Sequence, residues 1–318
     1  MRNRILCGFV GIALLVSASC QRNPDANKAT KTSKGKIGIS VLTMTNPFFK
    51  EIADVFKEEM EKHGYDVIVV DPDQDIVRQK NQIQDFLAQK VSAIVLCPCK
   101  STEIGAAIQQ ANKAGVPVFT ADIACLDPDA KVVTHIATDN YAGGKQAAEA
   151  MIEALGASGG NILLLDMPDV ESCILRVKGF EEILREHNKQ HPTGKITIVS
   201  KLPCDGNKER GYKSTEDALQ AHPNLVGIFA INDPAALGAR AALEKAGKAE
   251  LVKIIGFDGQ PEGKQAIREG KIYADPIQHP DQIARETAKA ILQYFRGEQP
   301  PPQILIPTNL YRKADAQK

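Results

Sequence analysis

From Lys36 onward, short runs of β-branched and apolar residues alternate with amphipathic stretches, and they do so in two successive series. The first series is Ile37–Leu42, Val67–Asp71, Ala93–Cys97, Val116–Thr120 and Val132–Ala137. The second is Asn161–Asp166, Ile196–Lys201, Val226–Ala230, Val252–Phe257 and Ile272–Ile277. Strands separated by helices do not pair as hairpins. The chain must return by crossovers, which gives parallel sheets with helices on both faces. Two series therefore predict an α/β chain of two doubly wound parallel-sheet lobes of similar build. The first helical stretch carries Phe49, Ala53, Phe56 and Met60 on one stripe, the spacing of a core-facing helix. With 43% hydrophobic and 25% charged residues, a 318-residue chain has ordinary globular composition and enough apolar material for such a core.

The N-terminus reads as a targeting segment. Arg2 and Arg4 form a positive region, and Ile5 to Val16 is an apolar stretch of signal-peptide length, short for a bilayer span. Small residues Ser17, Ala18 and Ser19 precede Cys20. This arrangement resembles a bacterial lipoprotein signal, although Ser17 stands where leucine is commoner. The resemblance implies that Cys20 becomes the lipid-modified first residue, with ordinary secretion and nearby cleavage as the alternative. Residues 20–35 are polar without apolar period and read as a flexible tether.

Charge and motifs narrow the function. Basic and acidic residues number 39 each, and removing a leader with two arginines leaves a slight negative balance. That leaves no electrostatic footprint for nucleic acid. No HExxH or CxxC string occurs. Gly143-Gly144-Lys145 looks phosphate-like but lacks P-loop spacing, and it follows Asp139-Asn140, which reads as a helix start. Close helix packing is the plainer explanation for those glycines. No metal or cofactor site is expected, and no catalytic set.

In doubly wound sheets ligands bind beyond the carboxyl ends of the strands, so the residues that follow strands are the candidates. Asn46-Pro47-Phe48-Phe49 follows the first strand, with Asn46 placed to cap the next helix. Phe49 lies on the core stripe; Phe48 falls off it, toward the cleft. Asp122, Asn232-Asp233, Asp258 and Gln278 follow later strands. Carboxylates accept paired hydroxyl hydrogen bonds, amides donate and accept, and an aromatic face packs on sugar C–H groups, so this set suits a polyol. Helix capping alone is the bland alternative for each.

From about Lys36 to its end the chain resembles the periplasmic ribose-binding protein family, the type I sugar receptors of ABC importers. The residues that carry the resemblance are Asn46-Pro47-Phe48-Phe49, Thr134 through Asn140 with Gly143-Gly144-Lys145, and Ala221-His222-Pro223. They continue with Asn232-Asp233 and Ala236 to Ala239, Gly256-Phe257-Asp258-Gly259, and Pro280-Asp281-Gln282-Ile283. The resemblance implies a hinge of three crossings, with 36–136 plus 279–307 as one lobe and 137–278 plus 308–318 as the other. It implies ligand contacts at Asn46, Phe48, Phe49, Asp122, Asn232, Asp258 and Gln278. It also implies a monomer that delivers a sugar or polyol to an ABC permease. A ligand-sensing module for chemotaxis or a membrane sensor would use the same pocket. Three positions depart from the family pattern. An arginine after the first-lobe aspartate is Ile123, a second arginine falls on Ile174 when Gly179-Phe180 sets the register, and an aromatic falls on Gly206. Arg176 stands close enough to reach in instead. With both arginines lost, a ligand other than ribose, less hydroxylated or differently shaped, is expected.

Of seven cysteines, Cys7 leaves with the leader and Cys20 takes lipid, leaving an odd five. Cys99 with Cys125 and Cys173 with Cys204 follow adjacent strands, so disulfides within each lobe are expected if the compartment oxidises them. Reduced, structural thiols are the alternative. Cys20→Ala is expected to move the protein from the membrane to the soluble fraction or to leave it unprocessed. Unchanged fractionation and processing would refute lipidation.

Overall fold

A computed structural model describes residues 33–317; Cys20, the leader and most of the tether lie outside the described residues. The first half of the chain runs β1 (Lys36–Ser40), α1 (Pro47–Lys62), β2 (Asp66–Val70), α2 (Ile76–Ala88), β3 (Ala93–Leu96), α3 (Gly105–Lys113), β4 (Val118–Ala121) and β5 (His135–Thr138). The second runs α4 (Asn140–Leu155), β6 (Gly160–Asp166), α5 (Glu171–Gln190), β7 (Ile196–Pro203), α6 (Lys208–Ala221), β8 (Leu225–Ala230), α7 (Asp233–Lys245), β9 (Lys253–Ile255), α8 (Pro261–Arg268) and β10 (Ala274–Pro276). The C-terminal part adds α9 (Pro280–Phe295), β11 (Gln303–Ile306) and β12 (Leu310–Arg312).

Each half builds one sheet with the same winding. The strand order is β11-β5-β4-β3-β1-β2 in the first and β12-β10-β9-β8-β6-β7 in the second. Every pairing is parallel except that of β12 with β10. Parallel strands are covered on both faces, and β3, β4 and β5 are accordingly buried along their full length. All ten expected strands form, within a few residues of their expected ends. β11 and β12 were not foreseen. They are short edge strands beside Pro300-Pro301-Pro302 and Pro307, and proline depresses a strand reading while being tolerated at an edge.

Helix starts follow local capping. Asn46, Asp75, Asp139, Asn207 and Asn232 each accept a backbone N–H in the first turn of the helix they precede. The expected α1 stripe is buried, with Ala53, Phe56 and Met60 fully enclosed.

The chain passes between lobes three times, at Asp139, at Ile277–His279 and at Pro307–Asn309. β5 stays in the first sheet through Thr138, past residue 136. The crossings hold one another. The Asp139 N–H donates to Ile306 O at 2.9 Å, and the Ile277 N–H donates to Asn309 O at 2.9 Å. Thr308 Oγ1 donates to Ile277 O at 2.6 Å.

Gly143 and Gly144 serve packing. A Cβ on Gly144 would stand 2.0 Å from the Arg176 carbonyl oxygen on α5, and one on Gly143 would stand 2.5 Å from the Phe257 ring. Lys145 pairs with Glu182 at 2.7 Å. A GxSxG string does occur, Gly156 to Gly160, but Ser158 is exposed and precedes β6. A nucleophile elbow requires the serine after a strand. Among the described residues no helix is long and apolar enough to cross a membrane. Gly144→Ala must push α4 and α5 apart. It is expected to lower folding stability by about 1–3 kcal/mol in urea denaturation; an unchanged midpoint would contradict this packing.

Candidate functional site

The carboxyl ends of both sheets face one cleft. Its lining brings together Asn46, Phe48, Phe49, Asp122, Ile123, Arg176, Asn232, Asp258 and Gln278 from both lobes. The two aspartates are equivalent in build: Asp122 follows β4 and Asp258 follows β9. Both backbones lie in the left-handed region, at φ 64° and 101°. A residue with a Cβ pays for that geometry, and such strain persists where the surroundings enforce it. The enforcing bonds are main-chain. The Asp122 N–H donates to Ile136 O at 2.8 Å and the Asp258 N–H to Pro276 O at 3.1 Å.

Asn46 and Asn232 are at once caps and lining residues. Asn46 Oδ1 accepts the Phe48 N–H at 3.0 Å and Gln260 Nε2 at 2.8 Å from the opposite lobe. Asn232 Oδ1 accepts the Ala235 N–H at 3.1 Å while its Nδ2 donates to Gly206 O at 2.9 Å. Capping and lining are therefore one arrangement at these positions. Asp122, Asp258 and Gln278 cap nothing.

The expectation that both family arginines are lost is corrected here. Ile174 points out of the cleft and is 39% exposed, whereas Arg176 is 3% exposed and inside it. Arg176 Nε donates to Asn140 Oδ1 at 2.8 Å, and Nη1 donates to Ile231 O at 2.6 Å and to Asp258 Oδ1 at 3.2 Å. Its guanidinium lies 3.8 Å from the Phe257 ring centroid. Arg176, not Ile174, thus brings a guanidinium to the cleft, and Ile123 lines it without one. Gly206 lines the cleft at φ 63°, and a Cβ there would stand 3.2 Å from Asn232 Nδ2 and Met167 Sδ.

Burial dominates the electrostatics. The Asp122 carboxyl is pushed up to about 7 by desolvation, with Arg176 pulling it down and Asp258 pushing it further up. Asp258 is pushed up to about 6 by burial despite the pull of Arg176 and the Gln278 amide. Gln278 Nε2 donates to Asp258 Oδ1 at 2.6 Å. Asp122 Oδ1 and Gln278 Oε1 are buried without a protein hydrogen-bond partner. Two acceptors, one per lobe, thus face the cleft unsatisfied.

Gln74, Met167, Val170 and Ser172 also line the cleft and were not foreseen. The strand-end rule points to Gln74, beyond β2, and to Met167, immediately after β6.

The five described cysteines are all free, so neither Cys99–Cys125 nor Cys173–Cys204 forms a disulfide in this structure. Cys97, Cys99, Cys173 and Cys204 are buried, and desolvation raises all four thiols, Cys99 and Cys173 to about 12. They behave as small neutral hydrophobes. Adjacency of the preceding strands does not by itself bring two sulfurs to bonding geometry. Among the described residues no cluster of three or more His, Cys, Asp or Glu side chains is arranged to hold a metal.

Two identically wound parallel-sheet lobes, three crossings and a polar cleft at the strand ends define a type I periplasmic binding protein architecture. The chain belongs to the family described as periplasmic binding protein domain, whose profile matches residues 37–299. It is 32% identical over 270 residues to a ribose import binding protein of Salmonella typhimurium, covering 85% of this chain and 88% of that one. It is also 32% identical over 263 residues to a D-apiose import binding protein of Actinobacillus succinogenes, covering 82% of each. Among solved structures it resembles an ABC transporter periplasmic solute binding protein from Actinobacillus succinogenes with bound D-allose. The identity there is 27% and the TM-score 0.80, over 89% of this chain and 99% of that one. A Mycobacterium smegmatis solute binding protein with bound glycerol is similar at 29% identity and a TM-score of 0.81, over 89% and 96%.

The carboxyl shifts fix a pH dependence. The folded Asp122 value of about 7 exceeds its ordinary 3.8, so the folded state binds the extra proton. Its stabilising effect is complete below pH ~4 and is lost as pH rises through 7. Unliganded protein is expected to lose about 3–4 kcal/mol of stability between pH 4 and 8 from this group alone. Asp122→Asn should flatten the urea-denaturation profile over that range. An equal slope in wild type and variant would remove Asp122 as the source.

Proposed function

We propose that this chain is the substrate-capturing component of an ABC importer, binding a sugar or sugar-like polyol between its lobes and passing it to a membrane permease. The observation that carries this reading is the pair of unsatisfied acceptors, Asp122 Oδ1 and Gln278 Oε1, facing one cleft with Asp258, Asn46, Asn232, Arg176 and the Phe48 ring. Unpaired buried acceptors are costly, and ligand hydroxyls are the donors that relieve them. Membership of the periplasmic binding protein family and likeness to import binding proteins for ribose and D-apiose support the same reading. The lobes, divided at the three crossings, close on the ligand about them. The chain acts as a monomer and is anchored at the membrane through Cys20. Its task is binding without turnover.

A thermal-shift screen over pentoses, hexoses, polyols and nucleosides tests the reading, because a ligand bound only by the folded state raises Tm. At least one sugar or polyol is expected to raise it. Asp122→Ala and Asp258→Ala should each weaken binding of that compound by about 2–5 kcal/mol in calorimetry. No response across the sugars and polyols, or unaltered affinity in both variants, would sink the proposal.

A further inference from the structure

Helix α5 has no side-chain cap of its own. Val170 stands at its N-cap position and offers no acceptor, unlike the Asn and Asp residues before α1, α2, α4, α6 and α7. Its first amide is served from the other lobe, where the Glu171 N–H donates to Ser101 Oγ at 2.9 Å. Ser101 follows β3 and α5 follows β6, so this bond crosses between the two sheets. A second bond runs beside it, from the Ser101 N–H to Asp169 O at 2.9 Å. The Glu171 carboxylate lies against the Ala124 amide, also of the first lobe. Lys100 Nζ stands 3.6 Å from Asp169 Oδ2, a solvated pair that adds little.

Ser101 is fixed within its own lobe. It is fully buried, and its carbonyl accepts the Leu126 N–H at 2.8 Å. The chain just before it is held by Gln79, which donates to Cys97 O at 3.0 Å and accepts the Cys99 N–H at 2.8 Å. Ser101, Asp169 and Glu171 do not line the cleft. The lip where α1 and α8 begin is built differently. There Asn46 Oδ1 and Gln260 Nε2 meet at 2.8 Å beside an open groove of about 320 Å³.

We propose that Ser101 is a latch: by capping α5 from the opposite lobe it favours the closed form even without ligand, and so sets how much of the protein is closed before a ligand arrives. Opening the lobes must break both hydrogen bonds and leave the start of α5 to water. Each bond of this kind favours the closed form by about three- to tenfold. The latch works against the buried, unpaired acceptor Asp122 Oδ1, which disfavours closure on an empty cleft. A ligand then has less of the closure to drive. The latch does not depend on what the cleft binds.

Amide hydrogen exchange, resolved by NMR on the unliganded protein, tests this. The amide of Ser101 is the reporter, because its acceptor, Asp169 O, belongs to the other lobe and is untouched by a side-chain change at position 101. In the wild type it is expected to exchange measurably more slowly than an unprotected amide. Ser101→Ala removes the cap acceptor and should speed exchange at position 101, relative to the intrinsic rate, by about threefold or more, while the amides of β1 and β6 stay protected. Ser101→Cys keeps a weak acceptor of similar size and should act in the same direction should the first variant melt early. A compound that raises Tm in the sugar and polyol screen should bind both variants correspondingly weaker in calorimetry. An unprotected Ser101 amide in the wild type, equal exchange in all three proteins, or equal affinity overturns the latch. Those results leave the sugar reading untouched, and a screen without a hit leaves the latch standing.

Discussion

The buried guanidinium of Arg176 is the constraint on which the cleft depends. It joins Asn140, just past the first crossing, to Ile231 beyond β8 and Asp258 beyond β9, and it rests on Phe257. These are three separate pieces of chain, and a planar cation with several fixed donors suits the task better than an ammonium would. The energetic benefit is not large stability. Burial still pushes Asp258 up to about 6, so desolvation outweighs the attraction of its partner. What the pair supplies is position. Removing Arg176 would leave Asp258 uncompensated and Asn140 without its donor. The glycines of α4 follow from the same requirement, because Gly143 admits the Phe257 ring and Gly144 admits the Arg176 main chain.

Most of the fold was legible because period and alternation report burial directly. Ten strands and the Asn46 and Asn232 caps follow from residue type and spacing alone. The C-terminal edge strands were not legible, since prolines flank them and neither is long. The arginine is the more instructive failure. Counting back from Gly179-Phe180 put the position on Ile174, yet α5 buries Cys173, Val177, Phe180 and Leu184. That stripe runs at helical spacing, and Arg176, three residues after Cys173 and one before Val177, lies on it while Ile174 lies off it. The period held the answer; the assumption that a buried stripe is apolar concealed it. Cysteine pairing had no comparable signal, because sequence does not encode the approach of two sulfurs.

The two lobes do not present equal halves of the site. In the second, Asp258 is held by Arg176 and Gln278, and Asn232 by Gly206 and its own helix. These groups are oriented before any ligand arrives. In the first, Asp122 Oδ1 has no protein partner and the carboxyl is pushed up to about 7. Closing the lobes on an absent ligand therefore strands a buried acceptor, which costs free energy that water would otherwise offset. A ligand shifts the balance toward closure only by what it gains in the closed form over the open one. On the proposed reading, the hydrogen bond to Asp122 is that difference. The second lobe holds the ligand, and the first lobe's single unpaired carboxylate makes closure conditional on a hydroxyl being there to meet it.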